Sequence, residues 1–249
     1  MKHILPLVLA LLISTISSGQ EPTPASERLK AFQSRSQAIN QSLFSGVSLR
    51  SVGPTVMSGR VVDLAVDPSD ATHFFVAYAS GGLWETKNNG QSFDPLFDDQ
   101  AVMTIGAIAV NWQDTSIWVG TGEVNSSRSS YSGVGMYFSP DQGKTWEHRG
   151  LADSHHIGRV IVHPGDANTV WVASLGRLYT EGDEEGLFKT TDGGKTWKHV
   201  LSESVGAVDL VIHPENPDIL YAALWDRDRK AWNFQGNGPS RGTVPGADA

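Results

Sequence analysis

Thr86-Lys87-Asn88-Asn89-Gly90-Gln91-Ser92-Phe93, Ser139-Pro140-Asp141-Gln142-Gly143-Lys144-Thr145-Trp146 and Thr190-Thr191-Asp192-Gly193-Gly194-Lys195-Thr196-Trp197 are three copies of one eight-residue box. Each reads Ser/Thr-x-Asp/Asn-x-Gly-x-Ser/Thr-aromatic, and the boxes start 53 and 51 residues apart. A second marker precedes each box, as Val66-Asp67-Pro68, Val110-Asn111-Trp112 and Val162-His163-Pro164, and returns a fourth time as Ile212-His213-Pro214. A fixed period near 50 residues marks a repeat architecture, in which each unit covers its apolar faces against its neighbours.

The third unit shows the internal pattern best. Residues 159–163 form a β-branched run, 164–168 carry turn chemistry, and further strand-like runs follow at 170–174, 186–191 and 197–200. Four short strands per unit predict an all-β chain, a β-propeller of four-stranded antiparallel blades. Three full blades and part of a fourth are expected over residues 49–249. Closing a ring of six to eight such blades takes roughly 300 to 400 residues, so the sequence reads as the N-terminal portion of a longer protein. Open blade faces and sheet edges should make this portion aggregation-prone.

The box resembles the Asp-box of BNR-repeat propellers, and three copies in register make the resemblance specific. That group includes sialidases, xyloglucan-hydrolysing endoglucanases, sortilin-type receptors and a photosystem assembly factor. The sequence is most similar to bacterial secreted proteins described as BNR or sortilin-like glycosyl hydrolases. The phrases that carry this are Ser58-Gly59-Arg60-Val61-Val62-Asp63, Ser80-Gly81-Gly82-Leu83-Trp84, Gly120-Thr121-Gly122-Glu123 and His156-Ile157-Gly158. The resemblance implies one of three roles: recognition of a polysaccharide or protein ligand, glycoside hydrolysis of xyloglucanase or sialidase type, or service as a scaffold or assembly factor. In the xyloglucan-hydrolysing members a catalytic Asp stands just ahead of the first blade's Gly-Gly, where this chain has Ala79-Ser80. The arginine triad of sialidases has Arg60, Arg128 and Arg159 to draw on here.

Within the boxes, a structural role is expected. Asn88, Asp141 and Asp192 place a short acceptor where turn N–H groups need one. Gly90, Gly143 and Gly194 supply left-handed backbone. Phe93, Trp146 and Trp197 should pack as apolar anchors between sheets. The spacing is not that of an EF-hand loop, and neither a metal site nor a cofactor is expected.

Alternating strand direction puts the Pro-containing turns and the boxes at one end of the blades, and the loops after strand two with the inter-blade connectors at the other. Length varies in that second set, and long loops on a rigid scaffold are the usual carriers of function. They hold the candidate catalytic carboxylates Glu123 and Asp226. They also hold the candidate ligand-binding residues Asn125, Arg128, Tyr131, Arg177, Tyr179, Trp225, Arg227 and Trp232. Carboxylates, arginines and aromatics together suit sugar recognition. Glu123 reads first as a hydrogen-bonding turn residue and second as a catalyst, which would need a partner carboxyl about 5 to 10 Å away. The connectors add Asp98, Asp99, His155 and His156, while residues 181–185 read as a solvated acidic loop. His163 and His213 precede Pro at the repeated turn and read as structural.

Upstream, Lys2 and His3 precede a short apolar run and small residues at Ser17-Ser18-Gly19, the pattern of a signal peptide over residues 1–19. The apolar run is too short to span a bilayer, so the mature protein is expected to be secreted or periplasmic, with no membrane span. Residues 20–48 read as a linker and an amphipathic helix, with Leu29, Phe32, Ile39 and Leu43 at helical spacing over 26–44. The whole chain has 249 residues, 39% apolar and 18% charged, with a formal net charge of -8 and no cysteine. That composition supports a packed core and excludes disulfide frameworks and thiol chemistry. Its acidity gives no footprint for nucleic acid.

Overall fold

A computed structural model of the chain describes residues 22–47, 59–125, 130–201 and 205–227. Residues 1–19, expected to be a signal peptide, and the candidates Arg128 and Trp232 lie outside the described residues. The described residues are all-β apart from one helix, α1 (Ala25–Asn40). Blade one comprises β1 (Val61–Val66), β2 (Phe74–Tyr78), β3 (Gly82–Thr86) and β4 (Asp94–Pro95). Blade two comprises β5 (Ile105–Asn111), β6 (Ser116–Thr121), β7 (Met136–Ser139) and β8 (Glu147–His148). Blade three comprises β9 (Ile157–His163), β10 (Asp166–Ser174), β11 (Gly186–Thr190) and β12 (Lys198–Leu201). A hairpin of β13 (Gly206–Ile212) and β14 (Leu220–Trp225) begins a fourth unit. Each complete blade is an antiparallel sheet in simple sequential order, as the repeat predicts.

The blades stack face to face, and apolar side chains fill the gaps. Between blades one and two lie Phe75, Leu83, Phe97, Ile105, Ile117 and Tyr137. Between blades two and three lie Trp118, Met136, Ile157, Val170, Val172 and Phe188. A smaller cluster of Trp171, Ala173, Ala207 and Leu210 joins blade three to the hairpin. β6 and β10, the second strands of blades two and three, have neighbours on both faces and carry near-continuous apolar runs. The hairpin's far side has none among the described residues, and there Val211 and Tyr221 are exposed.

Each first strand is irregular at one equivalent place, where the register slips next to Val62, Gly106, Gly158 and Val208. These β-bulges sharpen the twist of the strand. A chain of charges runs across the same strands. Asp63 Oδ2 accepts the Ile108 N–H at 2.9 Å and lies 3.6 Å from Arg159 Nη1, while Arg159 Nε donates to Asp209 Oδ1 at 2.7 Å.

The helix departs from expectation in extent and seating. It ends at Asn40 rather than near residue 44, and its contact stripe is Ala25, Arg28, Leu29, Phe32 and Ser36. Ile39 and Leu43, expected on the apolar face, are exposed. Ile39 continues that stripe but lines only the open groove beside Asp98 and Asp99, and Leu43 lies beyond the helix itself.

Candidate functional site

The boxes close three equivalent turns. Thr145 donates its backbone N–H to Asp141 Oδ1 at 2.8 Å and its hydroxyl to Oδ2 at 2.7 Å, and Thr196 serves Asp192 at 2.9 and 2.6 Å. These bonds hold both carboxyls below the usual aspartate range, led by the Thr145 N–H for Asp141 and the Thr196 hydroxyl for Asp192. Asn88 accepts the Ser92 N–H in the same way. Gly90, Gly143 and Gly194 have φ of 80°, 83° and 80°, the left-handed region that favours glycine. The Trp146 indole N–H donates to the Leu96 carbonyl at 2.7 Å, and that of Trp197 to the Arg149 carbonyl at 2.6 Å, each pinning its blade to the previous one. All three carboxyl or amide groups are thus engaged in turn closure.

Strand order places the loops 79–81, 122–135 and 175–185 at the opposite end, with the connectors into β5, β9 and β13. Glu123 lies at the start of the second of these loops and is 1% exposed. Its Oε1 pairs with Arg60 Nη2 and accepts from Asn125 Nδ2 at 3.3 Å. Its carbonyl lies 2.7 Å from His156 Nδ1, which makes that ring nitrogen the protonated one, and its N–H donates to the Tyr131 carbonyl at 3.2 Å. Three of the phrases singled out in the sequence therefore meet here. The glycines explain the contact: a side chain at Gly120 would strike Ile157, and one at Gly122 would strike the His155 carbonyl. Gly120-Thr121-Gly122-Glu123 and His156-Ile157-Gly158 are two halves of one close approach between blades two and three.

Beside it opens a cleft of about 320 Å³, lined by Ser130, Ser132, His155, His156 and the run 177–180, with Pro22 from the N-terminal segment on one side. Tyr179 and Tyr131 are half-exposed, while Leu178 is buried at the base of the loop. Arg177 donates from Nη1 to the Glu181 carbonyl at 3.2 Å. His155 adopts left-handed backbone, φ 56°, and its Nε2 is buried without a hydrogen-bond partner. Burial, with the positive charges of Arg28 and Arg177, depresses its pKa to about 4, so the ring is neutral at physiological pH. Glu184, expected in a solvated acidic loop, is half-buried instead. It accepts the Asp153 N–H at 2.7 Å, and burial raises its pKa.

The structure thus brings together Arg177, Tyr179, His155 and His156, and beside them Glu123, Asn125 and Tyr131. Neither Glu123 nor Asp226 lines the cleft of residues 130–132 and 177–180. Asp226 and Arg227 follow β14, with the Arg227 guanidinium 5.3 Å over the Trp225 ring. Asp98 and Asp99 lie under α1 in a separate groove with Phe32 and Arg35, where burial and then Asp99 raise the Asp98 pKa. No group of three or more His, Asp or Glu suited to a metal ion occurs among the described residues. Nor is any described helix long and apolar enough to cross a membrane.

Sequence reasoning placed the N-terminal helix but missed how it is seated against the blades. Arg28 donates to the Gly133 carbonyl at 2.5 Å and the Ala152 carbonyl at 2.9 Å and lies 3.5 Å from Asp153 Oδ1. The Ala25 N–H also reaches Asp153, at 3.2 Å. These partners are more than 100 residues away in sequence, and nothing in the local pattern of α1 points to them.

The sequence matches no family model and no curated protein. Among solved structures it is similar to an ancestral GH74 enzyme, at 21% identity and a TM-score of 0.52 over 72% of this chain and 24% of that one. It is also similar to the GH74 enzyme of Niastella koreensis, at 21% identity and 0.49 over 66% of this chain and 26% of that one. A third is the GH74 xyloglucanase of Xanthomonas campestris, at 20% and 0.47, over 66% and 26%. The chain spans about a quarter of the length of these proteins, and the likeness to the first of them supports the β-propeller fold.

Proposed function

We propose that the chain belongs to an exported BNR-type propeller that recognises a glycan on its long-loop end. The observation that carries this reading is the cleft between residues 130–132 and 177–180. It has the features of a sugar seat: an exposed tyrosine ring to stack on a pyranose face, and hydroxyl, imidazole and guanidinium groups to meet its hydroxyls. The boxes supply the rigid frame, and the loops supply the chemistry.

A second reading is glycoside hydrolysis with Glu123 and Asp226 as the carboxyl pair. The burial of Glu123 beside Arg60 on the same end favours it. Yet Glu123 Oε1, its carbonyl and its N–H all have protein partners, which suits a residue that shapes the loop.

The test is a glycan-array screen run beside reducing-sugar release from the same glycans, on wild type and Glu123→Gln. Recognition predicts binding without sugar release. Release that Glu123→Gln abolishes would establish the hydrolase instead.

A further inference from the structure

Arg28 reaches from α1 into a seat that the blades provide. Its acceptors are the Gly133 carbonyl in the β6–β7 loop, and the Ala152 carbonyl and Asp153 carboxylate in the β8–β9 connector. Two carbonyls and a carboxylate arranged around one fork of N–H donors make a site for a guanidinium, whose planar geometry a point-like ammonium does not reproduce. Glu184, one bond away through the Asp153 N–H, adds negative charge behind it.

The present occupant fits incompletely. Arg28 Nε is buried with no hydrogen-bond partner, as are those of Arg149 and Arg177, and such groups call for an explanation. The remainder of α1 is thinly held: only Ala25 is buried, Leu29 packs against the core between blades one and two, and Arg35 donates to the Gln100 carbonyl. Six residues before Arg28, Pro22 stands in the cleft that Tyr179 and Leu178 line. Residues 22–28 therefore cross the long-loop end as a bound peptide would, with a proline at the cleft and an arginine in the acceptor seat.

We propose that this seat is a recognition site for an arginine side chain presented by a partner polypeptide, and that Arg28 fills it as a tethered internal stand-in. The inference goes beyond the glycan reading and does not depend on it. A tethered occupant competes at an effective concentration in the millimolar range. A peptide in trans is thus held off from wild type and admitted when Arg28 is removed.

The probe is a labelled peptide with the sequence of residues 22–40, titrated into the full chain. Saturable binding to Arg28→Ala is expected, at least about tenfold tighter than to wild type. The same peptide carrying Arg28→Gln, with Arg35 kept, should bind the Arg28→Ala chain at least about tenfold more weakly. Should Arg28→Ala fail to fold, wild type suffices: excess peptide should accelerate amide exchange across the chain's own residues 25–40, and Asp153→Asn should do the same without peptide. Equal binding to both chains, equal binding of both peptides, or an exchange rate that excess peptide leaves unmoved would overturn the proposal. An empty glycan array would not bear on it.

Discussion

The two ends of the blades differ in what repeats. At the box end, Asp141 and Asp192 make the same pair of bonds to Thr145 and Thr196. Trp146 and Trp197 each donate to a carbonyl three residues past the preceding box, at Leu96 and Arg149. At the other end the bulges of the first strands recur but the loops do not. Blade one crosses from its second to its third strand in residues 79–81, blade two in 122–135 and blade three in 175–185. Repetition marks what every blade needs in order to stack, and variation marks where a ligand can impose its own demands. The contrast predicts that mutations at the first end will move stability and those at the second will move binding.

The largest effect should come from Trp197→Ala. It removes an indole from the junction of blades two and three together with its bond to Arg149, and should cost about 3 kcal/mol by the usual scale for a large aromatic. Chemical denaturation would measure this, and a loss below about 1 kcal/mol would break the claim that the boxes hold the stack. Glu123→Gln comes next. It keeps shape and an acceptor but removes the charge facing Arg60, which is itself partly exposed, so a loss of about 1 kcal/mol is expected.

The ends should also separate with pH. His155 is held neutral, with its pKa near 4 against an ordinary value of about 6.5. Its contribution is complete above the ordinary value and declines as pH falls through 6.5 toward 4. Asp141 and Asp192, depressed in the fold, contribute above the ordinary carboxylate range and lose that contribution only when pH falls below it. Glu184 works the other way over the carboxylate range because burial raises it, so the informative window is pH 5 to 6.5. Amide exchange in that window should speed up near residues 133 and 155 before it does at residues 141–145 and 192–196, and His155→Gln should remove the difference. The smallest effect on stability belongs to Tyr179→Ala. Its ring is half-exposed, so the change should stay within about 0.5 kcal/mol.

The repeat made the blades legible because each box states its turn in full: an acceptor, a left-handed glycine, a hydroxyl and an aromatic, all within eight residues. Strand order and the division into two ends follow from it. Glu123 could be found from its turn, but its burial could not, since Arg60 and His156 come from other blades. The seat of Arg28 was illegible for the same reason, because Gly133 and Ala152 contribute only backbone carbonyls, which every residue has. The sequence also misjudged Ile39 and Leu43, whose helical spacing continues past the point where the helix meets the blades.

The central claim is that the long-loop end recognises a ligand while the box end only supports it. The most direct test pairs the melting temperature of Tyr179→Ala with its signal on the glycan array. Tyr179→Ala should melt as wild type does and lose its signal. A signal retained at wild-type strength by a variant that folds normally would contradict it.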